Sequence, residues 1–309
     1  MKKLITALVA LTLIALSMPA QANLKNRTSV PTLAIVDTAL DTSIPQIKSR
    51  LVGEVCILDW ASCPNGKTFM EGEGASTLPS NIISNSNFNH GTQMASIALQ
   101  NNPNMNILFV RIIGHTSRGM RQTTSVSTLP NALSWINNNI SKYNISAVAI
   151  SQGNHSVIKK TNVGYCPITA TDIAIDRLYS VGVPVFFPAG NDRDRSRIDW
   201  PACIPNAVAV GGAESYGDVS IFSNYDKALI DIWDLSTSSS IYPGNKNGNS
   251  FGTSVANQVA AAKFVALKSS KPTMSLTDLI NLIKSKANPI TNSLKQEGLL
   301  FNLEAALNG

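Results

Sequence analysis

Histidine, charged residues and aromatic residues are all scarce in this sequence, and each shortage excludes some functions. It has three histidines, 14% charged residues and 6% aromatic residues. Neither a Cys-x-x-Cys pair nor a His-Glu-x-x-His motif occurs, so zinc sites and zinc hydrolases of those types are excluded. We also find no internal repeat. The sequence therefore predicts neither a metal site nor a cofactor.

The excess of positive charge is too small to predict binding to nucleic acid. The formal net charge is +6, and removal of an N-terminal leader that contains two lysines would lower it to 6 − 2 = +4. The densest basic group, Arg193, Arg195 and Arg197, is interleaved with Asp192 and Asp194. Interleaved charges of both signs are typical of a solvated loop rather than of a surface for phosphate groups.

The N-terminus has the organisation of a secretory signal peptide. Lysines precede an apolar run over 4–16, and Ala20-Gln21-Ala22 forms a small-x-small cleavage site. We therefore predict a signal peptide over residues 1–22 and export to the periplasm or out of the cell. No second apolar run is long enough to cross a bilayer, so we expect no membrane anchor.

The residues that follow the signal peptide are enough for one large domain. Their number is 309 − 22 = 287, which can bury a substantial core. We assign residues 23–30 to a short N-terminal segment and residues 31–309 to the domain.

The four cysteines of an exported protein predict two disulfides. Sequence alone permits three pairings of four cysteines. We favour Cys56 with Cys63, which brackets a short loop, and Cys166 with Cys203.

Apolar runs of strand length alternate along the chain with segments of helical length. The runs are rich in valine and isoleucine and do not alternate strictly with polar residues, as in strands covered on both faces. The predicted strands are 32–36, 107–112, 146–150, 183–187 and 207–210. The predicted helices are 91–100, 129–140, 169–180, 253–268 and 275–287, and residues 66–89 are predicted to be a mobile polar loop. This order predicts an α/β domain with a doubly wound, mostly parallel sheet and helices on both faces, with ligands at the carboxyl ends of the strands.

Four residues, distant in sequence, are of types that act together in nucleophilic catalysis. Asp37 directly follows the first strand, His90 precedes a helix, Asn191 follows a strand, and Ser254 opens a helix of small residues. Each alone is explained by a structural role such as a cap or a turn. Together they supply a carboxylate that orients a base, the base itself, an oxyanion donor and a nucleophile.

Ser254 lies at the start of a helix that is expected to be buried. Gly252 permits a tight turn before it, and Thr253 is a candidate N-cap. The helix N-terminus favours negative charge beside the serine hydroxyl.

These segments resemble the motifs of subtilisin-like serine proteases, the subtilase family. Asp37-Thr38 resembles the family's Asp-Ser/Thr-Gly motif, and His90-Gly91-Thr92 resembles its His-Gly-Thr motif. Gly252-Thr253-Ser254-x-Ala256 resembles its Gly-Thr-Ser-x-Ala-x-Pro motif. The supporting matches are Ser151-Gln152-Gly153, Ala189-Gly190-Asn191, Trp200-Pro201-Ala202 and Phe222-Ser223-Asn224-Tyr225. The resemblance covers roughly residues 31–290 and implies a three-layer α/β fold.

The resemblance implies an endopeptidase that forms an acyl-enzyme through a triad of Asp37, His90 and Ser254, with the Asn191 side chain as an oxyanion donor. The implied substrate-binding residues are Ser151, Gln152, Gly153, Pro188, Ala189 and Gly190. Of these, Gly153, Pro188, Ala189 and Gly190 would line the primary pocket, and their small size favours an apolar substrate side chain there. Asp192 at the mouth of the pocket is a weaker argument for a basic one. The expected partner is a protein or peptide substrate, and we expect a monomer.

The sequence departs from the family pattern in several places. Ala39 replaces a glycine and would be strained if the turn needs a positive φ. Gln258 replaces a proline, which lets the helix continue. Gln46 lies where an acidic calcium ligand often occurs, so we predict no metal. The segment 231–234 replaces the usual Ala-Pro-Gly turn. Residues 23–30 are too few for the family's prodomain, so we expect folding unaided or with a separate helper.

Three alternatives to a general protease can be compared with the sequence. Gly248-Asn249-Ser250-Phe251-Gly252 fits the nucleophile elbow of esterases, but that fold needs a histidine after the serine, and the last histidine is His155. A catalytically inactive subtilase fold that binds peptides stays open. A dedicated processing protease with few substrates also stays open.

Overall fold

The computed structural model describes residues 30–60, 62–116, 121–122, 127–154, 166 and 169–309. The predicted signal peptide, residues 1–22, and all but the last residue of the segment 23–30 lie outside the described residues. Of the helices that are described, none combines the length and the apolar character needed to cross a membrane.

Most of the described chain lies in regular elements. The strands are β1 (Thr32–Asp37), β2 (Leu51–Ile57), β3 (Phe69–Glu71), β4 (Asn106–Arg111), β5 (Gly114–His115), β6 (Arg121–Gln122), β7 (Ile145–Ile150), β8 (Val185–Pro188), β9 (Ala207–Ala213), β10 (Ile232–Leu235), β11 (Thr237–Tyr242), β12 (Lys246–Phe251), β13 (Asn288–Thr291) and β14 (Glu297–Leu300). The helices are α1 (Pro45–Lys48), α2 (Ser80–Ile83), α3 (His90–Asn101), α4 (Thr128–Asn138), α5 (Ile140–Tyr143), α6 (Ala170–Ser180), α7 (Thr253–Ser270), α8 (Leu276–Lys286) and α9 (Leu303–Leu307).

A ten-stranded sheet runs through the centre, in the order β13-β14-β10-β9-β8-β7-β1-β4-β2-β3. Every pair from β14 to β2 in this order is parallel. The pairs β13–β14 and β2–β3 at the two edges are antiparallel. This order confirms the predicted mostly parallel sheet. Because parallel strands end at the same edge, the carboxyl ends of β1, β7 and β8 lie side by side there.

Helices cover both faces of the sheet, so the domain has three layers. On one face, α4 and α6 contribute core residues such as Leu133 and Leu178. On the other face, α3, α7 and α8 contribute Ala98, Phe264 and Leu279. All six residues of β1 are buried, which explains why the predicted strands lack polar alternation.

The five predicted helices match α3, α4, α6, α7 and α8 to within three residues at each end, and the five predicted strands match β1, β4, β7, β8 and β9 equally well. The caps of two helices follow the expected chemistry. Ser275 accepts a hydrogen bond from the Asp278 N–H at the start of α8. Thr169 and Asp172 form a reciprocal capping box at the start of α6.

The prediction of a polar loop over residues 66–89 was wrong in part, because β3 and α2 lie within it. Three of its apolar side chains, Leu78, Ile83 and Phe88, are buried. Its backbone is also held by Glu54, whose carboxylate accepts hydrogen bonds from the Gly74 N–H at 3.0 Å and the Ser76 hydroxyl at 2.7 Å. Hydrogen bonds from a loop to a carboxylate about 20 residues away in sequence leave no local pattern that would predict them.

Both favoured disulfides are present. Cys56 and Cys63 have Cα atoms 5.9 Å apart, and those of Cys166 and Cys203 are 5.6 Å apart. The two bridges account for all four cysteines.

The segment 231–234 forms most of β10 and carries a buried ion pair. Lys263 Nζ on α7 lies 2.8 Å from the Asp234 carboxylate, which is fully buried. Burial raises the pKa of Asp234, and the neighbouring Lys263 ammonium opposes that shift without cancelling it.

Candidate active site

Asp37 is the last residue of β1, and its carboxylate is completely buried. Oδ1 accepts hydrogen bonds from the Thr38 N–H at 2.7 Å and from Gln152 Nε2 at 3.1 Å. The carboxylate is thus fixed in orientation by the strand end of β1 and by the chain that leaves β7.

His90 is the first residue of α3 and completes an acid–imidazole pair. Its Nδ1 lies 2.8 Å from Oδ1 and 3.0 Å from Oδ2 of Asp37. Since Nδ1 faces a carboxylate, the proton of the neutral ring is held there, and Nε2 is left as the acceptor. The His90 side chain is 30% exposed and the Asp37 side chain 0%, so the ring lies between the buried carboxylate and solvent.

The entry of the chain into α3 is fixed by Thr38. Its hydroxyl accepts from the Gly91 N–H at 2.9 Å and donates to the Phe88 carbonyl at 2.8 Å. The absence of a side chain at Gly91 allows close packing, because a Cβ there would lie 2.5 Å from the Ala39 carbonyl oxygen. Ala39 itself is not among the described non-glycine residues with positive φ, so the strain considered for it is absent.

Ser254 is the second residue of α7, and helix packing brings it to the same edge of the sheet. Met94 and Ile97 of α3 form a buried cluster with Val255 and Val259 of α7. The cluster therefore ties the helix that begins at His90 to the helix that carries the serine.

The Ser254 hydroxyl is directed to the Ser151 carbonyl oxygen, at 3.5 Å. Between the described residues His90 and Ser254 there is no hydrogen bond in this conformation. Serine has three staggered χ1 rotamers, and the hydroxyl is only partly buried, so a rotation about one bond is the change that would redirect it.

Thr253 does not cap α7, contrary to the prediction. The N-cap is Gly252, whose φ of 123° is one that residues with side chains rarely adopt. Thr253 is instead the first helical residue, and its hydroxyl donates to Asn191 Oδ1 at 3.0 Å. It also accepts from the Gly190 N–H at 3.2 Å.

Asn191 is held at one end of its amide. Oδ1 accepts from the N–H of Thr253 at 2.8 Å as well as from its hydroxyl. A Cβ built on Gly252 would lie 3.4 Å from Nδ2 and 3.5 Å from Oδ1, so the whole amide lies beside the turn that leads to Ser254. Nδ2 donates no hydrogen bond to any group of the described chain.

A buried group of polar side chains lies behind the serine. The Ser151 hydroxyl donates to the Ser254 carbonyl oxygen at 3.2 Å and accepts from Gln258 Nε2 at 3.0 Å. Asn257 Nδ2 lies 3.3 Å from the same hydroxyl. Gln258, the residue that replaces proline, is fully buried and uses an amide donor that proline lacks.

The predicted substrate-binding residues lie on two chain segments that leave neighbouring strands. Residues 151–153 continue from β7, and residues 188–190 continue from β8. Ala189 and Gly190 are buried, whereas Gly153 is exposed. Asp192, predicted at the pocket mouth, is also exposed.

The esterase alternative fails on geometry. Ser250 lies within β12, and its hydroxyl donates to Gln93 Oε1 at 2.6 Å. It is therefore a buried strand residue and not the tip of a strand-to-helix turn.

Three contacts of the site were not predicted from sequence. They are the hydrogen bond from Gln152 to Asp37, the bond from Thr253 to Asn191 and the bond from Gln258 to Ser151. Each joins residues more than 60 positions apart, and a short-range pattern cannot indicate it.

The sequence profile of the subtilase family matches residues 28–303. The chain belongs to the subtilase family. An alkaline protease from Alkalihalobacillus alcalophilus is 28% identical over 242 residues, and the match covers 75% of this chain and 58% of that protein. Subtilisin BL from Lederbergia lenta is 27% identical over 242 residues, covering 75% of this chain and 82% of that protein.

The fold of this subtilase is also similar to solved structures. A cold-adapted subtilisin-like serine proteinase superposes with a TM-score of 0.64 at 19% identity, over 87% of each chain. Identity at that level supports the fold, and the subtilase chain accordingly has the three-layer subtilisin-like α/β architecture.

Proposed function

We propose that this subtilase is a serine endopeptidase in which Asp37, His90 and Ser254 act as the catalytic triad. The observation that carries the proposal is the contact of 2.8 Å between His90 Nδ1 and the buried Asp37 carboxylate. Packing of α3 against α7 brings the Ser254 helix to the same sheet edge. A general base oriented by a carboxylate, next to a serine at a helix start, is suited to acyl transfer.

In the proposed reaction, His90 Nε2 takes the proton of Ser254 Oγ as that oxygen attacks the scissile carbonyl carbon. Asp37 holds the tautomer with the proton on Nδ1 and stabilises the imidazolium. The imidazolium then protonates the leaving amine, and the C–N bond breaks to give the acyl-enzyme. Water, deprotonated by His90, hydrolyses the ester and restores the serine.

The negative oxygen of the tetrahedral intermediate would be stabilised by Asn191 Nδ2 and the Ser254 N–H. The contacts from Thr253 to Asn191 Oδ1 support this role, since they hold the amide against the residue that precedes Ser254 and leave its Nδ2 as the donor. Loss of one such donor in a subtilisin costs about 3 kcal/mol of transition-state stabilisation, and we adopt that family value here.

An extended peptide would pair with residues 151–153 as an added strand, with side chains entering pockets between the two segments. This mode suits unfolded or flexible protein substrates. Export through a signal peptide over residues 1–22 remains a prediction, and the two disulfides support an oxidising compartment.

One observation favours the alternative of an inactive, peptide-binding subtilase: the Ser254 hydroxyl is directed to Ser151 and not to His90. A fluorophosphonate probe separates the two functions because it reacts only with an activated serine. We expect a covalent adduct on Ser254, located by mass spectrometry of peptides from the labelled protein.

The Ser254→Ala variant should give no adduct, and His90→Ala should label at least about 100-fold more slowly. Folded wild-type protein that does not label would overturn the proposal. Cleavage of a proteome-derived peptide library by the same preparation then separates a general protease from a processing protease, since broad cleavage excludes the latter.

A further inference from the structure

Gln258 lies four residues after Ser254 on α7, and its side chain is fully buried. Its Nε2 donates to the Ser151 hydroxyl at 3.0 Å. That hydroxyl has a single hydrogen, which it donates to the Ser254 carbonyl oxygen at 3.2 Å. Ser151 can therefore only accept from Gln258, and this requirement orients the Gln258 amide with its nitrogen toward Ser151.

Residues 151 and 254 also contact each other in the opposite direction, because the Ser254 hydroxyl lies 3.5 Å from the Ser151 carbonyl oxygen. Asn257 Nδ2 supports the same place, at 3.3 Å from the Ser151 hydroxyl and 3.2 Å from the Ile150 carbonyl oxygen. Asn257 is thus shared between β7 and Ser151. Gln258 Nε2, in contrast, donates to Ser151 and to no other group of the described chain.

The Gln258 amide is poorly suited to stabilising α7. Its Oε1 is buried and accepts no hydrogen bond from the part of the chain that the structure describes. Burying an acceptor without a donor costs free energy, and an apolar side chain of the same size would avoid that cost. What the amide does supply is an N–H directed at Ser151, so its effect is expected on the placement of Ser151.

The placement of Ser151 matters because it is the first residue of the segment 151–153, with which an extended substrate is proposed to pair. Ser254 is the proposed nucleophile. A shift of Ser151 relative to Ser254 would change the position of the scissile carbonyl relative to Oγ. A misplacement of about 1 Å between reacting groups can lower a rate by about 100-fold.

We propose that Gln258 is a positioning residue, which holds the substrate-pairing segment in register with the nucleophile through the Ser151 hydroxyl. This inference rests on the proposed function. Because Gln258 is fully buried, it acts through Ser151 and does not touch the substrate. The proline of the family pattern has no side-chain donor and could not hold Ser151 in this way.

The test compares a chromogenic peptide with a fluorophosphonate probe that carries no peptide, because only the peptide uses the segment 151–153. Gln258→Met nearly keeps the length of the side chain and removes the donor. Its kcat/KM for the peptide should fall by about 10-fold to 100-fold, whereas labelling of Ser254 should stay within about 3-fold of the wild-type rate. Phe264→Leu is the matched control, because Phe264 is fully buried in the core on the same helix. This control should lose stability but keep kcat/KM within about 3-fold.

Gln258→Glu tests the donor directly, because a carboxyl group can donate a hydrogen bond only while it is protonated. Burial raises the pKa of a carboxyl group, so the donor is present at low pH and is lost as the pH rises through that pKa. The ratio of kcat/KM for this variant to that of the wild type, measured at each pH, should therefore fall as the pH rises. A ratio near one at alkaline pH would contradict the inference.

Ser151→Ala removes the hydroxyl through which Gln258 is proposed to act, and it should slow peptide hydrolysis while sparing probe labelling, even if Gln258→Met does not fold. In the Ser151→Ala background, Gln258→Met should lower kcat/KM only slightly further. Equal losses of labelling and of peptide hydrolysis in Gln258→Met would show an effect on the serine or the fold, and would overturn the inference. Full kcat/KM in folded Gln258→Met overturns the inference and leaves the protease function standing. Folded wild-type protein that neither labels nor cleaves overturns both.

Discussion

Replacement of Thr253 by valine tests whether Asn191, the proposed oxyanion donor, is positioned through the first turn of α7. The change removes a hydroxyl and leaves the shape of the side chain nearly unchanged. It deletes the bond to Asn191 Oδ1 at 3.0 Å and the acceptor of the Gly190 N–H at 3.2 Å. The Thr253 N–H, at 2.8 Å from the same Oδ1, remains.

The expected loss of stability follows from these bonds. One ordinary hydrogen bond contributes about 1 kcal/mol, and a buried N–H left without an acceptor costs about 1–3 kcal/mol, so unfolding should become easier by roughly 2–4 kcal/mol. The loss in kcat is smallest if the variant only loses one bond that orients Asn191, and largest if the Asn191 donor no longer reaches the oxyanion. We therefore expect kcat to fall by about 5-fold to 100-fold, with KM nearly unchanged, since an oxyanion forms only after binding.

The assay is hydrolysis of a chromogenic peptide, with thermal unfolding measured in parallel. Thr253→Ser keeps the hydroxyl and should stay within about 3-fold of the wild-type kcat. In a double-mutant cycle, Thr253→Val should lower kcat only slightly in the Asn191→Ala background, because the amide that it positions is already absent. Wild-type kcat in folded Thr253→Val, or full additivity with Asn191→Ala, would refute the reasoning.

Three further predictions concern stability. Gly91→Ala would bring a Cβ to 2.5 Å from the Ala39 carbonyl oxygen; we expect a loss of about 1–3 kcal/mol in urea unfolding and a lower kcat/KM, and an unchanged midpoint would contradict this packing. Burial raises the pKa of Asp234 above its usual 3.8, so the folded protein binds a proton more readily than the unfolded chain at pH values above 3.8. The free energy of unfolding of the wild type, relative to that of Asp234→Asn, should therefore fall as the pH is raised above 3.8. An increase of this difference with pH would show that the ion pair with Lys263 dominates. Replacing Cys166 and Cys203 together by serine opens a loop with a sequence separation of 37; thermal unfolding should show a loss of up to about 4 kcal/mol, and no measurable loss would exclude the chain-entropy account.

The sequence was sufficient for the central parallel strands of the sheet and for the pairing of Asp37 with His90. Strands buried on both faces, such as β1, are continuous apolar runs, and the residue after such a run must lie at the carboxyl edge of the sheet. That rule alone places Asp37 at the edge where its carboxylate meets His90. The helix of small residues after Gly252 can also be predicted from sequence. Because 12 of its 18 residues are buried, its composition is mostly small and apolar.

The sequence was not sufficient for the polar elements and for the support of the site. Strands β11 and β12 form an antiparallel hairpin rich in serine and asparagine, and the pattern of polar residues in these strands does not differ from that of a loop. Asp199 lies eight residues beyond Asn191 in a charged segment, where nothing indicates that its N–H bonds to Ala189. Such contacts depend on where distant segments meet.

The hairpin β11–β12 links the helix that begins at His90 to the helix that carries Ser254. It is bonded to α3 through the Ser96 hydroxyl, which accepts from the Ile241 N–H at 2.9 Å, and through Gln93. At its other end, β12 runs through Gly252 directly into the helix of Ser254. The two ends of the hairpin therefore differ in what an insertion would disturb: extra residues at the tip, 243–245, would disturb the bond from the Gly244 N–H to the Asp41 carboxylate at 2.7 Å, whereas one residue inserted at 251–253 would alter the spacing between the hairpin and Ser254.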